Sequence, residues 1–357
     1  MTPFSPFDHA MMRRALALAE RGLYSATPNP RVGCVLARDH AIVGEGWHES
    51  SGAPHAEANA LAAAGAQAKG ATAYVTLEPC RHQGKTPPCA EALVRGRVER
   101  VVAAVRDPNP VADRGGDRLR AAGVRFDHGL LEDDARELNI GFFSRMTRKR
   151  PWVRMKIAAT LDGRSALADG RSQWITGAEA RQDGHRWRAR ACAILTGIGT
   201  VKADDPRLTV REVQTPRQPM RVVIDSRLEI AQTARVLQGG KVLVFCAIEP
   251  RRSLGNAEIV LLPNAAGKVA LPAMLEELAR RGVNELHVEA GFRLNGSLLR
   301  EGCVDEFLLY LNPSFLGDRA QGMFDLPAFE ALELRPSLTL RSLERVGHDL
   351  RLLCRPA

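Results

Sequence analysis

The sequence predicts an α/β fold divided into two domains. Runs of β-branched and apolar residues alternate with runs of helix-forming residues, which is typical of helices packed on sheets. The length of 357 residues is more than twice that of an ordinary domain of about 150 residues. A basic segment, RMTRKR at 145–150, separates two series of such elements. We therefore expect one domain over residues 1–148 and a second over residues 149–357.

The first series begins with a helix and continues with strands and helices in turn. Ser5 suits the N-cap of this helix, Pro6 suits its first turn, Asp8 completes a capping box, and Gly22 can follow its end. Strands are predicted in RVGCVLA, AIVGEGWH, ATAYVTLE and RVVAAV. Helices are predicted in HAEANALAAAG and PPCAEALVRG, because each run of helix formers ends in glycine.

The second series follows the basic segment and has the same alternation. Strands are predicted in WVRMKIAATLDG, CAILTGIGT, MRVVIDS, KVLVFCA, EIVLLP and ELHVEAG. Helices are predicted in GAEARQDGHRWRARA and LPAMLEELARRG, which lie between those strands.

Composition restricts the class of protein. Apolar residues make up 45% of the chain and charged residues 25%, as in ordinary globular proteins. No stretch reaches the roughly 18 consecutive apolar residues of a membrane span, and the start lacks the pattern of a secretory signal. The seven cysteines are an odd number and are scattered, which favours a reducing compartment over a disulfide framework. We expect a cytoplasmic protein with no membrane partner.

The net charge of +9 does not by itself indicate nucleic-acid binding. Arginines are spread along the chain, and only 5% of residues are aromatic, whereas single-strand binding usually needs aromatic platforms. A basic surface also suits a small phosphorylated substrate. We therefore expect a small-molecule substrate and no nucleic-acid partner.

A zinc site is indicated by LEPCRHQGKTPPC, which contains two cysteines that each follow a proline. Cys80 and Cys89 offer two thiolates, and His55 in PHAEANAL offers an imidazole. Catalytic zinc keeps three protein ligands and an open position for water, whereas structural zinc takes a fourth ligand. His48 or His82 could be that fourth ligand, so a structural site stays open as an alternative.

Glu57 favours the catalytic form of this site. It follows His55 by two positions at the expected start of a helix, so it lies near the metal without being a good ligand. Zinc would lower the pKa of its bound water towards ~7, and Glu57 would carry a proton from that water to a departing amine. The arrangement H-x-E with P-C-x(n)-C is the signature of zinc-dependent deaminases of nucleosides and bases.

The second domain has two junctions where a strand, a glycine and a helix follow one another. TGIGTVKADDPRLT lacks the third glycine of the dinucleotide-binding fingerprint, and VEAGFRLNGSLL offers a second junction. Glycines and helix N-termini both favour the close approach of a phosphate. Neither junction identifies a cofactor from spacing alone.

Longer motifs extend across both domains. TPNPRVGCVLA, GEGWHESSGAPHAEANAL, YVTLEPCRHQGKTPPCAEAL and VRDPNP resemble the deaminase half of bifunctional riboflavin-biosynthesis enzymes of the RibD type. KIAATLDGR, SQWIT, ILTGIGTVKADDPRLTVR, VIDS and VEAGFRLNGSLL resemble the reductase half. The resemblance implies a cytidine-deaminase-like domain followed by a dihydrofolate-reductase-like domain. The chain departs from the common Ser and Arg of the family at Arg81 and Lys85, which could alter how the substrate phosphate is held.

The resemblance also implies two successive reactions. The first would be hydrolytic deamination of 2,5-diamino-6-(5-phosphoribosylamino)pyrimidin-4-one. The second would be NADPH reduction of 5-amino-6-(5-phosphoribosylamino)uracil to the ribitylamino phosphate. The residues implied for NADPH are Ala159, Trp174, Thr200, Asp204, Ser226, Gly291, Phe292, Arg293, Leu294, Asn295, Gly296 and Ser297. Those implied for substrate are Asn29, Ser172, Arg188, Leu208, Arg211 and Glu289. Lys156 and Asp204 are candidates for proton handling in the reduction.

Two other classes of function remain open at this point. A nucleic-acid-editing deaminase with an RNA-binding second half would have salt-sensitive RNA affinity and no NADPH binding. A non-catalytic zinc scaffold would have a saturated fourth metal position. A closed homodimer is the default expectation for the oligomeric state.

Overall fold

The computed structural model describes residues 4–83, 87–112 and 114–357, which divide into two compact units. The first unit ends at Arg148 and the second begins at Lys149. Both combine helices with a β-sheet, so the α/β class is confirmed. Among the described residues, no helix has the length and apolar character needed to span a membrane.

The first unit packs helices around a five-stranded sheet with the strand order β2-β1-β3-β4-β5. Its helices are α1 (Pro6–Glu20), α2 (Ala56–Ala64), α3 (Cys89–Arg95), α4 (Gly115–Ala121), α5 (Glu132–Leu138) and α6 (Ile140–Arg148). Its strands are β1 (Gly33–Arg38), β2 (Ala41–Trp47), β3 (Thr72–Val75), β4 (Arg100–Ala103) and β5 (Arg125–His128). Strands β3, β4 and β5 run parallel, and β1 pairs antiparallel with both β2 and β3.

The first helix has the predicted capping box. The Ser5 hydroxyl accepts from the Asp8 backbone N–H at 3.1 Å, and the Asp8 carboxylate accepts from the Ser5 N–H at 2.9 Å. Asp8 also accepts from the Tyr74 hydroxyl at 2.7 Å and from Arg100 at 2.8 Å. The Asp8 carboxylate therefore caps the N-terminus of the helix and ties the helix to strands β3 and β4.

Two glycines of β2 set the distance between this strand and α2. A Cβ on Gly44 would lie 2.4 Å from the Ala60 carbonyl oxygen, and one on Gly46 would lie 2.5 Å from that of Ala56. Real Cβ atoms do not come so close, so only glycine fits at either position. The start of α2 is thereby held against the sheet.

The second unit is built on a nine-stranded sheet with the order β11-β10-β9-β8-β12-β6-β13-β16-β15. Its main helices are α7 (Ala178–Arg190), α8 (Ile198–Asp204), α9 (Leu271–Arg280) and α10 (Phe292–Arg300). Its strands are β6 (Trp152–Thr160), β7 (Arg164–Ala166), β8 (Ala193–Gly197), β9 (Met220–Ile224), β10 (Val242–Cys246), β11 (Glu258–Leu261), β12 (Glu285–Val288), β13 (Glu306–Asn312), β14 (Gln321–Gly322), β15 (Leu338–Val346) and β16 (Asp349–Pro356). The sheet is parallel from β11 to β13, and β16 and β15 continue it antiparallel.

The centre of this sheet contains a buried ion cluster. Arg154 on β6 donates to Glu285 on β12 at 3.0 Å and to Glu306 on β13 at 2.5 Å, and all three side chains are almost fully buried. The two carboxylates compensate the charge of a guanidinium that burial would otherwise penalise heavily. The cluster cross-links three adjacent strands.

Candidate active sites

Three potential metal ligands of the first unit converge on one point. The Nδ1 atom of His55 lies 3.2 Å from Sγ of Cys89 and 3.6 Å from Sγ of Cys80. The three ligand atoms all lie within 4.8 Å of one another. Zn–S bonds of about 2.3 Å and Zn–N bonds of about 2.0 Å in tetrahedral geometry require separations of this size. The residues therefore fit a zinc ion.

Local structure places each of these ligands. His55 is the N-cap residue of α2, and Cys89 is the first residue of α3. Cys80 belongs to the loop after β3, which ends at Val75 rather than continuing to residue 78 as predicted. Helix N-termini favour thiolate over thiol. Hydrogen bonding from Cys89, with a further contribution from His55, lowers the pKa of Cys80 to about 4.

The two histidines considered as a fourth ligand, His48 and His82, do not belong to this cluster. Among the described residues, the group able to hold a metal consists of His55, Cys80 and Cys89. The Nδ1–H of His48 faces the Pro54 carbonyl at 3.1 Å, so its Nε2 accepts from the Asn29 amide at 3.0 Å. His48 is thus engaged with protein groups, which supports a site with three protein ligands.

Glu57 is buried at the start of α2, with 4% of its surface exposed. Burial raises the pKa of its carboxyl group, and the nearby Cys80 thiolate raises it further. A carboxyl group with a raised pKa can both accept and return a proton near neutral pH. This environment suits the proton-transfer role expected for Glu57.

A cavity of about 440 Å³ is lined by two of the three ligands, His55 and Cys80. Asn29, His48, Glu57 and His82 line it, together with His55, Cys80 and other residues. The volume is within the range of small-ligand pockets. Asn29 was expected to contact the substrate, and its amide lies on the cavity wall with its nitrogen directed at His48.

The two positions at which the chain departs from the family pattern, Arg81 and Lys85, lie between the ligands Cys80 and Cys89 in the sequence. Arg81 is exposed, and its backbone N–H donates to the Ala112 carbonyl at 3.3 Å. Lys85 lies outside the described residues. Their effect on a substrate phosphate stays a prediction.

In the second unit, the residues expected to bind NADPH gather at one edge of the large sheet. Ala159 is near the carboxyl end of β6, Thr200 is in the first turn after β8, Ser226 follows β9 and Gly291 follows β12. These four strands are parallel neighbours, so their carboxyl ends lie side by side. Ligands of open α/β sheets bind at such edges.

Two junctions at this edge fit a nucleotide. A Cβ on Gly291 would lie 3.6 Å from the Thr200 hydroxyl, so the segments after β12 and β8 are in contact. Gly291 is the N-cap residue of α10 and has no side chain to cap the first-turn N–H groups. These groups are available to a phosphate. The Ser226 hydroxyl accepts from the Val269 N–H at 3.2 Å and retains its own proton to donate.

The expected cofactor loop from Gly291 to Ser297 does not present all its residues on one side. Asn295 is buried and donates to the Met323 carbonyl at 3.3 Å. A Cβ on Gly296 would lie 2.1 Å from the Asp325 carbonyl oxygen, so Gly296 packs against that segment. Gly291 instead faces Thr200. The first turn of α10 is therefore the part best placed for a cofactor.

Trp174 is the most exposed aromatic ring expected to contact NADPH, with 70% of its surface accessible. The Arg181 guanidinium lies over this ring at 4.7 Å from its centre. Gln173 donates to the Asp204 carboxylate at 3.5 Å, which brings the segment containing Ser172 to the end of α8. Burial raises the pKa of Asp204.

Substrate residues expected in distant parts of the sequence also come together. Arg188 on α7 and Glu289 after β12 form a bidentate ion pair, with N–O distances of 2.5 and 2.6 Å. Lys156 on β6 is half-buried beside this pair, and its pKa is lowered by burial despite the opposing effect of Glu289. Leu208 has a φ of 49° in the left-handed region, which is uncommon for leucine.

Residues that sequence reasoning did not identify surround this group. His185 accepts at Nδ1 from the Arg211 backbone N–H at 3.2 Å. The side chain of Gln218 pairs with both backbone groups of Val210. No short motif could have indicated these roles, because His185 is 26 residues from Arg211 and the Gln218–Val210 pair lies within an irregular loop.

Comparisons with known proteins identify the family of each unit. Residues 151–352 match the family model of the RibD C-terminal domain, and residues 5–105 match the cytidine and deoxycytidylate deaminase zinc-binding region. The riboflavin biosynthesis protein RibD of Escherichia coli K12 is 44% identical over 358 residues, covering 96% of this chain and 98% of the relative.

Solved structures give the same result over the whole chain. Acinetobacter baumannii RibD, form 1, has a TM-score of 0.93 and 42% identity, with coverage of 98% of this chain and 99% of that chain. A Thermotoga maritima protein described as a diaminohydroxyphosphoribosylaminopyrimidine deaminase/5-amino-6-(5-phosphoribosylamino)uracil reductase has a TM-score of 0.90 and 32% identity, with the same coverage. This chain therefore belongs to the RibD family of bifunctional riboflavin-biosynthesis enzymes, which join a zinc-dependent deaminase to an NADPH-dependent reductase.

Proposed function

We propose that the first unit deaminates 2,5-diamino-6-(5-phosphoribosylamino)pyrimidin-4-one and that the second reduces the product, 5-amino-6-(5-phosphoribosylamino)uracil, to the ribitylamino phosphate. The observation that carries the deaminase assignment is the convergence of His55, Cys80 and Cys89 on one point, next to a cavity that His55, Cys80 and buried Glu57 line. The substrates are those in the description of the Thermotoga maritima relative.

In the deaminase, we assign His55, Cys80 and Cys89 as zinc ligands and Glu57 as the proton carrier. Bound zinc supplies a water molecule whose pKa is lowered towards ~7. Glu57 would take a proton from the water that attacks C2 of the pyrimidine and would return a proton to the 2-amino group, which leaves as ammonia. We assign Asn29, whose amide nitrogen is directed at His48 on the cavity wall, to orient the ring.

In the reductase, we assign Arg188, Leu208, Arg211, Glu289 and Ser172 to the substrate, and the carboxyl edge of the parallel strands to the cofactor. When bound, NADPH would supply the hydride that reduces C1′ of the opened ribosylamine. Lys156 and Asp204 handle the accompanying proton near that carbon. The lowered pKa of Lys156 and the raised pKa of Asp204 support these roles, because each shift favours exchange closer to neutral pH.

The proposed partner is a small phosphorylated pyrimidine and not a nucleic acid or a membrane, and the proposed location is the cytoplasm. We also propose a homodimer. Strand β15 is an edge strand of nine residues, and Leu338, Leu340 and Leu343 on it are 42%, 52% and 55% exposed. A long edge strand with exposed apolar side chains is a surface that a second chain can cover by antiparallel pairing.

One experiment separates this proposal from an RNA-editing deaminase and from a zinc scaffold. Purified protein is titrated with NADPH and with single-stranded RNA, and its fluorescence and zinc content are measured. We expect saturable NADPH binding, one zinc per chain, and ammonia release from the diaminopyrimidine. Binding of RNA without NADPH would contradict the reductase assignment. Zinc held without ammonia release would favour the scaffold.

A further inference from the structure

The segment from Leu208 to Glu212 carries two of the residues proposed to bind substrate, Leu208 and Arg211. Its backbone is held by side chains of other segments. Arg188 Nη1 donates to the Thr209 carbonyl at 3.2 Å. The Gln218 amide accepts from the Val210 N–H at 2.8 Å and donates to the Val210 carbonyl at 3.0 Å.

A third side chain, that of His185, holds the backbone of Arg211. Its Nδ1 accepts from the Arg211 backbone N–H at 3.2 Å. A neutral imidazole that accepts at Nδ1 must carry its proton at Nε2. In this tautomer the protonated Nε2 lies 3.8 Å from the Glu212 carboxylate, and Nη1 of Arg188, which is 3.4 Å from Nε2, donates to the Thr209 carbonyl.

The surroundings keep this imidazole neutral, as the hydrogen bond requires. His185 is 5% exposed, on α7, one helical turn before Arg188. Burial lowers its pKa to about 4, and the guanidinium groups of Arg188 and Arg211 contribute in the same direction, whereas Glu212 and Glu289 oppose them. A protonated ring would have no acceptor to offer to Arg211.

The two arginines near His185, Arg188 and Arg211, differ in the partners of their guanidinium groups. The Nε and Nη2 atoms of Arg188 donate to Glu289 in the bidentate ion pair, and Nη1 donates to the Thr209 carbonyl. The Arg211 side chain is exposed and bonds within its own segment, at 3.2 Å to the Thr209 hydroxyl and 3.3 Å to the Thr209 carbonyl. Arg211 is therefore the guanidinium open to an incoming anion, and its placement depends on the backbone that carries it.

We infer that His185 is a positioning residue for the substrate phosphate: by accepting from the Arg211 backbone it aims the Arg211 guanidinium at the phosphate, with Gln218 holding the adjacent residue. This inference rests on the proposed reductase function. It assigns no chemical step to His185, which acts through Arg211. The effect should therefore appear in substrate binding and depend on the phosphate group.

The test compares variants that differ in one acceptor atom. In His185→Asn the amide oxygen can take the place of Nδ1, whereas His185→Leu keeps the bulk and removes the acceptor. Gln218→Ala removes the neighbouring pair of hydrogen bonds from an exposed position, where misfolding is least expected. Steady-state NADPH oxidation is measured with 5-amino-6-(5-phosphoribosylamino)uracil and with the same compound after phosphatase treatment. NADPH affinity is measured by fluorescence.

We expect His185→Leu to raise KM for the phosphorylated substrate roughly three- to tenfold, the usual effect of one lost hydrogen bond, with kcat changed less than about twofold. His185→Asn should stay within about threefold of wild-type KM, and Gln218→Ala should change in the same direction as His185→Leu. NADPH affinity and KM for the dephosphorylated compound should not change in any variant.

Two results would overturn the inference. One is an unchanged KM in both His185→Leu and Gln218→Ala, and the other is an equal rise in KM for the phosphorylated and dephosphorylated compounds. If His185→Leu does not fold, Gln218→Ala alone decides by the same criteria. Wild-type protein that fails to oxidise NADPH with this substrate would instead overturn the proposed reductase function.

Discussion

Arg188 and Glu289 form a bidentate ion pair although 101 residues separate them in the chain. Burial alone would raise the pKa of Glu289, but the Arg188 guanidinium outweighs burial and holds that pKa well below its usual value. The pair joins α7 to the end of β12, and it fixes the wall of the proposed reductase site before any substrate arrives.

Removing one charge of this pair should destabilise the second unit. We expect Glu289→Gln to lower its free energy of unfolding by about 3 kcal/mol, because Arg188 would remain buried without a compensating charge. Urea unfolding followed by tryptophan fluorescence measures this change. Asp169→Asn is the matched control, since its ion pair with Arg171 is exposed and its loss should have no measurable effect. Equal stability of Glu289→Gln and wild type would contradict a structural role for the pair.

Glu57→Gln should separate proton transfer from metal binding. Glu57 lies beside the ligand cluster without belonging to it, so the variant should retain one zinc per chain. Ammonia release should fall roughly 100-fold or more, the usual contribution of a positioned proton carrier. Elemental analysis and an ammonia assay give the two measurements, with exposed Glu49→Gln as the control. Stoichiometric loss of zinc from Glu57→Gln would show that Glu57 is a ligand.

The two reactions should fail independently. Cys80→Ser should abolish deamination, because a hydroxyl is a far poorer zinc ligand than a thiolate, yet it should still oxidise NADPH when given the deaminated intermediate. Arg211→Ala should weaken reduction roughly ten- to a hundredfold, as expected for one lost charge-assisted contact, while ammonia release continues. Arg207→Ala, also exposed and in the same loop, is the control. Loss of both activities in folded Cys80→Ser would contradict two separate sites.

The stability of the second unit should depend on pH through His185. The pKa of this side chain is lowered from 6.5 to about 4. Between these values the unfolded chain binds a proton that the folded chain does not, so folding stability decreases as pH falls. The decrease should reach about 2–3 kcal/mol at pH 4.5 relative to pH 7. Urea unfolding at both pH values should show a smaller decrease in His185→Asn than in wild type, and equal decreases would contradict the neutral, buried imidazole.

The sequence was most informative where chemistry requires particular residues at short spacing. His55 and Glu57 are two positions apart, and Cys80 and Cys89 are nine apart, so local spacing was sufficient to predict the cluster that the structure brings together. His185 gave no such signal, because its role depends on Arg211, which lies on a different segment.

Secondary structure was likewise predictable where it depends on residues close together in the sequence. The capping box of Ser5 and Asp8 is formed by residues three apart, and its prediction is confirmed. Strands β13, β15 and β16 were not predicted. The FLLYL run of β13 is apolar throughout, and such a run has no periodicity that distinguishes a strand from a buried helix. In β15 most residues are exposed on both faces, so the alternation of polar and apolar residues is weak.

The close contact of Gly44 and Gly46 with α2 has a consequence for genetic selection. Neither glycine lies among the residues lining the deaminase cavity, but both fix the helix that begins after His55. In a library of single substitutions selected for growth without added riboflavin, these two positions should be as intolerant as the zinc ligands. A map of such intolerance would therefore mark the supporting strand as well as the catalytic residues, and proximity to substrate would be a poor guide to which alleles survive.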